Sequence, residues 1–420
     1  MTGGLPRRSF LSGLVGAGVA GPLAAMAAAP IAAEAATRAS EAQNAAGGAS
    51  AADPAARIPF EGINQQGILP PPQRAAAFVS FDVTAATRGE LAELLQTITT
   101  RARFLTTGGA PQTTGISAPP ADSGVLGPEV APDNLAVTVA VGASLFDARF
   151  GLAALKPSQL RTMEDFENDA LRREVCDGDL LLQITAQSTD TVLHAVRDIA
   201  RATRGSMQIR WRRDGFVSAP RPSGTPRNLM GFKDGTSNPD ITDAALMQKL
   251  VWASDGEPAW AAGGSYQVVR VIRMLVEFWD RVNIHEQENM IGRRRDSGAP
   301  LTAVAEFDDP HYDLDPTGES VPLNAHIRLA NSRSQADLDT RILRRAYNYD
   351  GGVDPNGNLD MGLVFVAFNR DLDNQFVAIQ KRLANEPLVD YISPFGGGYF
   401  FALPGVQGAR DWLGQGLLSA

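Results

Sequence analysis

Ala76-Ala77-Phe78-Val79-Ser80-Phe81-Asp82-Val83 is an almost unbroken apolar run of strand length. A run of this kind reads as a strand covered on both faces. Thr87 follows as a helix cap, and Leu91, Leu94, Leu95 and Ile98 recur at the spacing of one helical face, so a helix is expected to about Phe104. A Gly/Pro-rich loop then runs to about Asp133. Leu135–Val141 and Leu180–Thr185 read as two further strands, Asp190–Ala202 as a helix and Met207–Arg212 as a strand. Strand, helix, strand, strand, helix, strand is the split ferredoxin-like order.

The second half repeats that order without repeating the sequence. Tyr266–Phe278 reads as a strand, Glu286–Gly292 as a polar helix, Ile342–Tyr349 and Gly362–Phe368 as strands, Asp373–Asn385 as a helix and Gly398–Leu403 as a strand. The class is therefore α+β, with two related units whose sheets pack together. The boundary falls in the Pro/Ser/Gly-rich stretch Arg221–Thr225, giving units 58–224 and 225–420.

Before the first unit lies an address. Arg7-Arg8-Ser9-Phe10-Leu11 is a twin-arginine pair, followed by a Gly/Ala-rich, modestly apolar run to about Ala33. Ala33-Glu34-Ala35 fits a cleavage site, so residues 1–35 read as an export signal and 36–57 as a disordered leader. Pro22 and Pro30 interrupt the run and argue against a membrane anchor. Twin-arginine export carries folded proteins, often with a cofactor inside. The reading is a periplasmic or secreted cofactor protein.

Bulk composition narrows the chemistry. The 420 residues are 44% hydrophobic and 20% charged, with a formal charge of -9. That charge, without a basic stripe, excludes a nucleic-acid surface. A single cysteine, Cys176, excludes an intramolecular disulfide and a cysteine-built metal centre. No Gly-x-Ser-x-Gly elbow and no phosphate loop is present, and no dinucleotide fingerprint follows the first strand.

What remains are four histidines, an acid and an arginine cluster. His194 sits mid-helix and His285 in a charged run. His311 lies in the acidic loop 308–315, which suits either a solvated surface or a hard cation. His326, in Leu323-Asn324-Ala325-His326-Ile327-Arg328-Leu329-Ala330-Asn331, has apolar neighbours. That setting suits a packed core histidine and equally an axial haem ligand. Gly231-Phe232-Lys233-Asp234-Gly235-Thr236-Ser237-Asn238-Pro239 puts two glycines around one carboxylate, which suits a turn or a close approach to a ligand. Strand alternation puts Arg344 and Arg345 on opposite faces and leaves open which one is internal.

The chain resembles the dye-decolourising peroxidases, and within them the twin-arginine-exported deferrochelatase/peroxidase branch associated with bacterial ferrous-iron uptake. Four motifs carry the resemblance: Gly231–Gly235, Asn324–Arg328, Leu343-Arg344-Arg345, and Gly396-Gly397-Gly398-Tyr399-Phe400-Phe401-Ala402-Leu403-Pro404-Gly405. It spans about Ile58 to Leu418. It implies two ferredoxin-like units packed as a dimeric α+β barrel, with haem b (iron protoporphyrin IX) in the second. It makes His326 the iron ligand, Asp234 the distal acid and Arg344 the distal arginine. Ala346 stands where some relatives place a distal asparagine. Glu386 is expected to accept the other N–H of His326, Leu363 and Phe365 to wall the distal side, and Arg328 and Thr236 to reach the haem carboxylates. Hydrogen peroxide and a one-electron donor are the implied substrates, with Trp252, Trp260 or Tyr347 near the surface as electron relays. The alternative implied by the branch is haem itself as substrate, its iron released with the porphyrin intact. The twin-arginine export machinery, an iron-uptake system and copies of the chain itself are the implied partners.

Overall fold

The computed structural model describes residues 53–420; residues 1–35, read as an export signal, and most of the expected leader lie outside them. The first unit begins with β1 (Ala75–Val83), buried along nearly its whole length. It continues through α1 (Arg88–Thr107), β2 (Ala136–Gly142), β3 (Leu180–Ala186), α2 (Thr189–Ala202) and β4 (Met207–Phe216). α1 starts where expected: the Thr87 hydroxyl accepts from Glu90 N at 3.2 Å, and Glu90 Oε2 accepts from Ala86 N at 2.6 Å. The first bond satisfies an amide that the first helical turn would leave bare, and the second ties the residue before the cap back to the helix.

The second unit contains α3 (Ala244–Leu250), β5 (Ser265–Met274), α4 (Ile284–Ile291) and α5 (His326–Ala330). The short β6 (Leu343–Arg344) follows, then β7 (Tyr347–Val353), β8 (Leu359–Asn369), α6 (Ala378–Arg382) and β9 (Ile392–Ala402). Three expected elements are divided. The strand expected to reach Phe278 stops at Met274, and Val276–Trp279 becomes a helical turn that lets Trp279 Nε1 donate to Met230 O at 3.0 Å. The strand expected over 342–349 is broken between Arg344 and Tyr347, where the chain passes from one stretch of β8 to another. The helix expected from Asp373 opens with a π-helical turn, Asp373–Val377, before α6.

The strand order is β5-β9-β2-β3-β1-β4-β7-β8-β6, and β5 also pairs with β8. That last pairing closes the sheet into a barrel of antiparallel strands. One arc, β2-β3-β1-β4, belongs to the first unit, and the other, β7-β8-β5-β9, to the second. Each has the ferredoxin-like order, so the fold is a dimeric α+β barrel built within one chain. The seams are short: β2 and β9 share three residue pairs, and β4 meets β7 only at Phe216 and Asn348. Side-chain alternation divides the packing. Phe78, Leu181, Val269, Val364, Val366 and Phe400 form one core, inside the barrel. Val79, Val139 and Leu182 meet the α1 and α2 residues Leu95 and Ile199 in a second, outside it. Leu363 and Phe365 also point outward, from the second arc.

No described helix is long and apolar enough to cross a membrane.

Candidate functional site

A cavity of about 240 Å³ lies against the outer face of the second arc. Ile342, Leu363, Phe365, Phe376, Ile379 and Leu383 give it apolar walls. Asp234, Arg344, His326 and Glu386 supply polar groups to the same space.

His326 is the first residue of α5, and its Nδ1 lies 2.7 Å from Glu386 Oε2. Glu386 is almost fully buried, at 3% side-chain exposure. Arg382 of α6 donates to the carbonyls of Leu329 and Ala330 at 2.9 and 3.1 Å, capping the far end of α5. A carboxylate on Nδ1 fixes the ring's tautomer and leaves Nε2 as the lone-pair nitrogen. Burial pushes the imidazolium of His326 down, but the charge and hydrogen bond of Glu386 outweigh it and raise its pKa above the ordinary value.

Asp234 faces the cavity from the loop between β4 and α3. Gly235, at φ +98°, adopts the left-handed backbone that turns the loop directly after the acid. Arg344 donates through Nη2 to Asp234 Oδ1, and its Nε is buried without a partner among the described residues. Asn238 locks the two segments together: its Oδ1 accepts from Arg344 N at 2.9 Å, and its Nδ2 donates to Arg344 O at 3.0 Å. Asn238 thereby splices the glycine motif's loop onto β6, and a lone amide carries no sequence mark of this role.

The cross-strand register places Arg344 opposite Ala367, on the cavity side. Arg345 turns the other way, where it is buried and donates to the carbonyl of Ile68 at 3.2 Å and to that of Leu69. Burial pulls its guanidinium down to about 10.

Several residues stand apart from their sequence readings. Arg328 does not line the cavity; it donates to Asp315 Oδ2 at 3.2 Å, Asp315 O at 2.7 Å and Val321 O at 2.8 Å. Thr236 lines the cavity, but its hydroxyl is engaged by Glu306 Oε1 at 3.1 Å. Trp252, Trp260 and Tyr347 were expected near the surface and are buried, at 6%, 8% and 1% exposure, because each packs into a core cluster. His194 is buried against Ser123, with Nδ1 to Oγ 2.7 Å, while His285 pairs with Asn289 on the surface. The acidic loop at His311 is spent on the chain's own amides, with Asp308 and Asp315 accepting from five backbone N–H groups. No group of three His, Cys, Asp or Glu side chains converges for a metal among the described residues.

Sequence reading missed the cavity's surplus of positive charge. Arg341 lines it without a salt bridge among the described residues. Burial, then the neighbouring Arg333, lower its pKa. Arg270 lines it too; it pairs with Asp169, both side chains 1% exposed, while its Nε and Nη1 have no partner. Arg341 is half-buried with no carboxylate on it and Arg270 keeps two donor groups unmet among the described residues, so the cavity suits an apolar guest that carries negative groups.

Comparison with known proteins agrees with this geometry. Residues 65–217 match the family model for the Dyp-type peroxidase N-terminal region, and residues 225–407 that for the C-terminal region. A deferrochelatase of Escherichia coli O6:K15:H31 is 50% identical over 383 residues, 90% of each chain. The crystal structure of a DyP-type peroxidase from Cellulomonas bogoriensis superposes with a TM-score of 0.79 at 35% identity, over 88% of this chain and 100% of that one. An oxyferrous complex of DtpA from Streptomyces lividans gives 0.77 at 34%, over 87% and 98%. With both family models matched in order across the two barrel arcs, the chain belongs to the Dyp-type peroxidase family.

Proposed function

We infer that this chain is a haem b peroxidase, reducing hydrogen peroxide at the expense of one-electron donors. The observation that carries the reading is that the His326–Glu386 and Asp234–Arg344 pairs open into one apolar cavity. The donor set fits haem. His326 Nε2 is free to ligate iron, the walls are apolar, and Arg341 and Arg270 offer cations to the two carboxylates. When bound, haem supplies the iron at which the peroxide O–O bond is reduced.

The chain's own groups do the rest. Glu386 accepts the Nδ1 proton of His326 and makes the ring a stronger electron donor. Asp234 takes a proton from one peroxide oxygen and returns it to the other, which leaves as water. Arg344, its guanidinium held beside Asp234, stabilises the negative charge that builds as the O–O bond breaks. Leu363 and Phe365 keep water away, which strengthens both effects. The test is haem reconstitution followed by rapid mixing with peroxide in the wild type, Asp234→Asn and Arg344→Leu. Wild-type rates in both variants would remove the distal pair from the mechanism.

The relatives named deferrochelatase support a second reading, release of iron from haem with the porphyrin intact. Protoporphyrin appearing without peroxide would favour it over the peroxidase. We also propose export in folded form through the twin-arginine route to the periplasm or beyond, supported by Arg7-Arg8, and a role beside an iron-uptake system. Cell fractionation of an Arg7→Lys/Arg8→Lys variant tests the export. A homo-oligomer is the expected state, and sedimentation tests it.

A further inference from the structure

Behind Asp234, bordering the cavity at Lys233, Thr236 and Arg293, lies a buried polar network whose carboxylate, Glu306, the peroxide chemistry does not use. Glu306 comes from the loop after α4 and is itself 8% exposed. Its Oε2 is 2.6 Å from Lys233 Nζ, whose side chain is 2% exposed. Its Oε1 accepts from Thr225 Oγ1 at 2.5 Å, Thr225 N at 3.1 Å and Thr236 Oγ1 at 3.1 Å. Lys233 also donates to Ser223 O. Arg293, buried, holds the Glu306 backbone through its carbonyl at 2.8 Å and Gly298 O at 2.6 Å. Space is tight on both sides: a Cβ at Gly224 would fall 1.9 Å from Glu306 Oε2, and one at Gly298 would fall 2.4 Å from Lys233 Cδ.

One carboxylate therefore grips Lys233, immediately before Asp234, and Thr236, two residues after it. Gly235 between them has a left-handed, otherwise permissive backbone. Pro226 O accepts from Asp234 N at 2.9 Å and ties the backbone at the acid; the grip adds a side-chain restraint on both flanking residues. The opposite side is fixed by Asn238 through the β6 backbone.

We propose that Glu306 is a positioning residue for peroxide cleavage: it clamps the residues flanking Asp234 and so holds the distal carboxylate at its working place. The inference rests on the reading of Asp234 as the distal acid. Misplacing a catalytic group by about 1 Å costs on the order of 100-fold in rate, so release of the clamp slows the peroxide step and leaves later electron transfer from the donor alone.

The test uses the haem-loaded chain and separates three readouts: the rate constant with peroxide, the rate constant with the donor, and the haem content. Glu306→Gln strands the Lys233 charge and can unfold the protein. The informative variants are therefore Thr236→Val, which keeps the ion pair, and Lys233→Met/Glu306→Gln, which removes both charges. Both are expected to slow the peroxide step about 10- to 100-fold with donor rate and haem content unchanged, and Thr236→Ser is expected to restore it. Asp234→Asn is the control. If Asp234→Asn is slow and the two clamp variants react with peroxide at the wild-type rate, the clamp has no positioning role. If the clamp variants fold but lose haem, the network serves cofactor retention and the proposal is likewise overturned. If Asp234→Asn is itself as fast as wild type, the distal-acid reading fails, and the proposal with it.

Discussion

At the scale of single residues the proposed chemistry rests on two side-chain pairs, and each makes a prediction. In Arg344→Leu the positive charge is gone while the walls remain. The peroxide rate constant is expected to fall roughly 100- to 1,000-fold with haem still bound, as measured by stopped-flow absorbance and a haem assay. For His326 the sign of the pH effect follows from its raised pKa. In the apoprotein, the Glu386 pair favours the imidazolium. It stabilises the fold fully below the unfolded-state pKa of about 6.5, and that contribution is lost as pH rises through the higher folded value. Iron needs the neutral Nε2, so haem affinity runs the other way. It falls as pH drops through the raised pKa, starting at higher pH than for a free histidine. Glu386→Gln should move that fall to lower pH. Haem titrations of the apoprotein across pH check it, and an unmoved midpoint would show that Glu386 does not set the ring's charge.

Elements decide whether those residues meet. α4 ends at Gly292, whose φ of +90° is left-handed and whose missing Cβ leaves room for Ile327 of α5. A Cβ there would fall 2.7 Å from Ile327 Cγ1. Gly292→Ala is therefore expected to cost about 1–3 kcal/mol and to shift α5, the helix that carries His326. Denaturant unfolding should show the loss, and haem should dissociate faster. At this scale the sequence was most readable. Alternating and continuous apolar runs marked β1, β3 and β8, and the Thr87 box marked α1, because these signals are local. The breaks were not readable. The gap between β6 and β7 exists because the chain moves between distant parts of β8, and nothing within Arg344–Tyr347 announces that. The same holds for the site. His326 and Asp234 stood out as a lone imidazole in an apolar stretch and a lone acid between glycines. Arg328 looked equally available until Asp315 was seen to occupy it. Arg341 showed only as one of an arginine cluster, and Arg270 and Glu306 gave no signal, since their meaning lies in groups far along the chain.

For the whole molecule, the closed barrel matters more than its two-unit ancestry. The seams between arcs have few hydrogen bonds, yet Phe78, Trp211, Tyr347 and Phe400 from both arcs share one interior core. Neither arc can keep that core covered alone. The described chain is expected to unfold as one cooperative unit, with tryptophan fluorescence and far-ultraviolet circular dichroism giving coincident transitions. Two separated transitions would show independent units joined by a weak seam. Closure also explains why the cavity lies outside the barrel: the interior is filled with aromatic and branched side chains, and the cavity lies on the outer face of the second arc, under α5 and α6.

The central claim is that this cavity binds haem through His326 and turns it toward peroxide with Asp234 and Arg344. The most direct measurement is the absorption spectrum of the purified, haem-loaded chain before and after one equivalent of hydrogen peroxide, with His326→Ala alongside. The account predicts a Soret band that shifts on mixing and returns when a reducing dye is added, and a His326→Ala variant that holds haem weakly or loses it. A wild-type chain that takes up no haem, or whose Soret band ignores peroxide, would contradict it.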